Sequence, residues 1–83
     1  MSARTKAQRD ADLRFAGLAA ARSHAYFTFA RAHLWEARAY IAASGEPFMD
    51  QNVRRSLGHA RGYRRLAKEQ RELARAAFCR GLT

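Results

Sequence analysis

Two helix breakers stand two residues apart at only one place in this 83-residue chain, Ser44-Gly45-Glu46-Pro47. Glycine suits the left-handed position just past a helix end, and proline often follows such an end. Residues 5–43 before it hold no proline and only Gly17 as a weak helix former. No strand pattern, internal repeat or low-complexity linker follows it. The expected fold class is therefore all-α: a small antiparallel helical hairpin or a three-helix bundle, with dimerisation as one way to complete it. A single helical domain spans 1–83, with helical segments at about 5–43 and 51–80 and a turn at about 44–50.

The first segment can start at Thr5, because Thr5 and Gln8 have capping-box spacing. Leu13, Ala16, Ala20, Ser23, Phe27, Ala30, Leu34, Ala37 and Ile41 then recur at spacings of three and four, which makes a helix seam. Phe15, Ala19, Tyr26, Phe29, His33 and Tyr40 widen it on one side. The opposite side carries Arg14, His24, Thr28, Arg31, Trp35 and Arg38. One unbroken helix here would run about 58 Å at 1.5 Å per residue. Typical helix lengths favour a break between Gly17 and His24, giving three helices.

The second segment starts between Pro47 and Asn52, with Asp50 as a cap or dipole partner. Its apolar arc is Val53, Leu57, Ala60, Tyr63, Leu66, Ala67, Leu73, Ala74, Ala77 and Phe78. Gly58 and Gly62 each cost about 1 kcal/mol relative to alanine inside a helix. Their spacing suggests close packing or a local irregularity near His59. Gly81 reads as a stop.

Charge bears on partners rather than on fold. Sixteen Lys and Arg against seven Asp and Glu give a formal charge of +9, and fourteen of the sixteen are Arg. Arginine presents a planar fork of donors matched to phosphate and carboxylate. High genomic GC content would favour arginine over lysine but does not explain the shortage of acids. Arg61, Arg64, Lys68, Arg71 and Arg75 form a ridge beside the apolar arc of the second segment, with Arg54 at its edge. From Arg61 to Arg75 the ridge is about 21 Å long, enough to follow several phosphates. A basic helix face is often only a solvated one, and Lys68–Glu72 and Glu72–Arg75 have the spacing of weak local pairs. Arg31, Trp35 and Arg38 make a secondary interface, where tryptophan would stack on a base or anchor a protein contact. The competing reading is that Trp35 covers a third helix or a dimer seam.

Catalytic chemistry has little footing. There is no Gly-rich phosphate loop, nucleophile elbow or zinc-ligand spacing. His24, His33, His59 and the single Cys79 are irregularly spaced, and the acids are few and scattered. The stretch Arg54-Arg55-Ser56-Leu57-Gly58-His59 resembles the R-x4-H motif of HEPN ribonucleases, whose helical dimers pair such residues around an RNA phosphate. The resemblance covers six residues and would imply His59 as general acid or base and Arg54 as stabiliser of phosphoryl charge. The main expectation is a protein without enzyme activity, metal or cofactor. A helix-turn-helix reader does not fit, because the break precedes a helix of about 30 residues rather than a short recognition helix. A leucine zipper does not fit, since no leucine heptad follows the basic region.

Two functional readings result. One is a nucleic-acid-binding helical protein that contacts backbone through Arg54, Arg61, Arg64, Lys68, Arg71 and Arg75. The other is an inhibitor or adaptor that binds an acidic protein surface in a nucleic-acid-processing complex, as phage-encoded anti-CRISPR proteins do by class analogy. A membrane partner is a distant third, because the apolar arc is alanine-rich and needed for the core. The longest uncharged stretches fall far below the roughly 20 residues that span a bilayer. No signal-peptide pattern is read, and a lone cysteine fits a reducing, cytoplasmic setting.

Overall fold

The computed structural model describes residues 4–45 and 50–83. Two helices fill them: α1, Lys6–Ser44, and α2, Gln51–Leu82. They run antiparallel as a hairpin whose Cα extents are 62 × 18 × 12 Å. That is long, and close to one helix thick.

α1 is continuous for 39 residues, so the expected break between Gly17 and His24 does not occur and there is no third helix among the described residues. The physical reason is a run of alanines around Gly17, with no proline. Each turn of α1 through this stretch also packs on α2, which outweighs the weak propensity of one glycine. α2 likewise passes through Gly58 and Gly62 without irregularity.

Three of the four ends form as the sequence suggests. Thr5 Oγ1 accepts from the Gln8 backbone N–H at 3.1 Å, while Gln8 Oε1 accepts from the Thr5 N–H at 2.8 Å. Gly45 takes φ 71° and donates its N–H to Ile41 O, ending α1 in the left-handed cap. Asp50 caps α2, with Oδ1 accepting from the Asn52 N–H at 2.7 Å. Pro47 and its expected place at the start of the second segment lie outside the described residues. At the opposite pole, Asp12 is gripped by Arg4 from α1's leader and by Arg80 from α2.

The contact strip is narrower than the apolar pattern. On α1 it is Ala16, Ala19, Ser23, Ala30 and Ala37, and on α2 Val53, Ser56, Ala60, Ala67, Ala77 and Gly81. It runs between the two apolar columns of α1: Ala19 replaces Ala20, and Leu13 and Leu34 are exposed. Small side chains let the backbones approach, so the bulky residues fall to either side of the strip. Ser23 Oγ donates across it to Ala67 O at 2.8 Å. Gly81 is not a stop but a contact: a Cβ there would lie 2.6 Å from the Leu13 side chain and 3.2 Å from Arg9 O.

Candidate nucleic-acid interface

The Ser23–Ala67 contact divides the hairpin into two flanks, and at about 100° per residue each side chain can be assigned to one of them. One flank holds an aromatic and histidine cluster. Tyr63 stacks on Tyr26 at 6.1 Å and on His33 at 5.5 Å, with Phe29 tilted against it at 5.4 Å. His33 meets His59 at 4.9 Å.

The other flank is basic. From α2 it carries Arg54, Arg61, Arg64, Lys68, Arg71 and Arg75; from α1 it carries Arg31 and Arg38, with Trp35 on its outer edge. The two sets singled out in sequence therefore lie on one face. Arg31 and Arg64, from different helices, line one groove together with Phe27, Ala30 and Leu34. Arg61, Arg64 and Lys68 surround a polar recess with Arg65. Arg71 and Arg75 border an apolar groove formed by Leu13, Ala16, Gly17, Ala20, Ala74 and Phe78. The Arg71 guanidinium sits 5.8 Å from the Phe27 ring centre, which holds it across the groove between the helices.

From Arg54 to Arg75 the α2 row is about 32 Å long. Neither Lys68–Glu72 nor Glu72–Arg75 closes into an ion pair, so the local neutralisation their spacing allowed is absent among the described residues. Side-chain forks in such a row can take up backbone phosphates or carboxylates at several points.

Trp35 is 63% exposed and covers neither a third helix nor its own hairpin. Arg38 lies over its ring, 5.0 Å from the centre. The indole is thus largely open beside a guanidinium, which suits stacking on a base or a partner side chain.

Arg54 and His59 do not converge. Five residues apart on one helix, they point about 140° from each other. His59 turns to His33 on the aromatic flank, while Arg54 belongs to the basic one. No group of three or more candidate metal ligands gathers among the described residues. None of the described helices is long and apolar enough to cross a membrane.

Sequence reading missed Ser56 and Glu36. Ser56, almost wholly buried, donates its hydroxyl to Glu36 Oε1 at 2.6 Å. That hydrogen bond, and a second from His33, hold the Glu36 carboxyl below the usual glutamate range. The available signal was the lone acid of the α1 midsection, but serine does not register in an apolar pattern. No protein-family model, curated protein or solved structure matches this chain.

Proposed function

We propose that this chain is a non-enzymatic binding protein that contacts nucleic-acid backbone through its basic flank. The observation that carries the reading is that cations from both helices share one face while the other flank is aromatic. Eight basic side chains along a rod of this length match a row of phosphates better than a compact ligand. In this reading Arg54 serves as a phosphate contact. Backbone contact predicts little sequence preference, with Trp35 adding stacking where a strand is open.

A second reading has its own support. The groove between Leu13, Ala20 and Phe78 is apolar and bordered by Arg71 and Arg75. That combination suits an acidic amphipathic protein segment, as an inhibitor or adaptor would meet on its target.

Pull-down from native lysate with and without nuclease separates the two. The wild type is compared with a variant carrying Arg64→Glu, Lys68→Glu and Arg71→Glu. Backbone binding predicts recovery of nucleic acid that the variant loses and that falls with salt, with a log–log slope of about −5 to −7 on duplex DNA for six to eight phosphate contacts. A stoichiometric protein partner that persists after nuclease replaces this reading with the adaptor one. Binding confined to one sequence and indifferent to salt would refute it.

A further inference from the structure

We infer that the aromatic flank is the interface for a second copy of this chain, so that two hairpins form a four-helix bundle with the basic flanks facing outward. This inference is independent of what the basic flank binds.

The first argument is area. The hairpin exposes 6433 Å². A compact folded monomer of its 9.4 kDa mass would expose about 5,000 Å². The excess is about 1,400 Å² per chain, and burying it in a symmetric pair removes an amount within the range of obligate dimers. The strip between α1 and α2 buries nothing larger than Val53, so the hairpin's own core is built from alanine, serine and glycine. The bulky residues that would normally fill a core lie outside it.

The second argument is where they lie. Phe15, Phe29, Leu66 and Leu73 all sit on the aromatic flank, exposed by 39%, 49%, 40% and 47%. They extend the Tyr26–Tyr63–His33 cluster along the length of the rod. The basic flank has apolar residues too, but they are interleaved with eight cations. Two chains of charge +9 meet most closely where cations are sparsest. On the aromatic flank the charges are Arg22, Arg55, Arg65 at the rim of the Gly58–Gly62 recess, the Arg80–Asp12 pair, and Glu36 with its hydrogen bonds to Ser56 and His33.

The third argument is glycine. Gly58 and Gly62 stand next to His59, Tyr63 and Leu66 around a shallow recess on this side of α2, with Arg65 at its outer rim. A Cβ at either position would meet nothing within 4 Å in the hairpin. Each costs the helix stability without serving contact with α1, whereas a second helix laid on this flank would use the cleared surface.

Sedimentation equilibrium of nuclease-treated protein in high salt tests the inference, because bridging by nucleic acid is then removed. The expected mass is twice the 9.4 kDa of one chain. Phe29→Gln with Leu66→Gln should weaken association by about 100-fold, while Leu34→Gln on the basic flank should change it by less than about threefold. Because Phe29 also packs on Tyr63 within one hairpin, Leu73→Gln serves as a second variant: 47% exposed, it should weaken association while leaving the helical signal intact. A wild type of single-chain mass at about 100 μM, in the concentration range that populates even weak dimers, would overturn the inference. So would a dimer that Leu34→Gln dissociates and the double variant leaves intact.

Discussion

Glu36 shows how one side chain joins the two helices. It stands on α1, half exposed, yet it accepts a hydrogen bond from the hydroxyl of a serine buried on α2. Its carboxyl is held below the ordinary glutamate range, first by Ser56 and then by His33. A group whose folded pKa is depressed contributes stability above its unfolded pKa and loses it as pH falls through the folded value. Glu36→Gln should therefore lower Tm slightly at neutral pH and make no difference once the wild-type carboxyl is protonated. Circular-dichroism melts of both proteins from pH 7 down to pH 2.5 check this. A Tm difference that stays constant across that range would rule out the coupling. Trp35 makes the contrasting case at this scale: its nearest interaction is a cation–π contact with Arg38 on its own helix, one turn away. It contributes to a surface rather than to the joint between helices.

Along the helices, identical residues have opposite roles. Gly17 lies exposed on α1 with open space about it, whereas Gly81 presses α2 against Leu13 and Arg9. Gly17→Ala should gain about 1 kcal/mol from helix propensity, raising Tm by about 4–8 °C. Gly81→Ala gains the same propensity but forces Leu13 aside, and should lose about 1 kcal/mol net or more. Urea melts at equal protein concentration would show the opposite signs; two gains would mean that the α1–α2 approach is looser than described. The helices themselves were legible in the sequence because caps and breakers act locally: Thr5, Gln8, Gly45 and Asp50 did what their types predict. The length of α1 was not, because the choice between one helix and two depends on α2 supporting every turn. Most of the contact strip was legible too: Ala16, Ser23, Ala30 and Ala37 stand in the seam read from spacing, and Val53, Ala60, Ala67 and Ala77 in the second arc. Its narrowness was not, because periodicity weights large apolar residues, so Leu34 and Phe78 looked like core, while Ser56 and Gly81 carry no hydrophobic signal. The basic ridge of α2 was visible from spacing alone. That Arg31 and Arg38 join it depends on how the hairpin closes, which no single helix reveals.

The whole molecule is a thin rod with an uneven charge distribution. Eight cations on one flank repel each other at low ionic strength, and that repulsion opposes the compact state. Sodium chloride should therefore stabilise the free protein, with Tm rising by about 5 °C between 20 and 300 mM, the range over which nucleic-acid affinity is expected to fall. A Tm that falls over this range in nucleic-acid-free protein would show that attractive ion pairs dominate instead. Because α1 and α2 run antiparallel, Thr5 and Thr83 lie at the same pole, where Asp12 holds Arg4 and Arg80. The turn lies a full helix length away, about 58 Å. A fluorophore or a fused domain joined at either Thr5 or Thr83 would hang from that pole, in line with the rod. Both broad faces would stay clear, so the molecule can be tethered by one end without obstructing either surface.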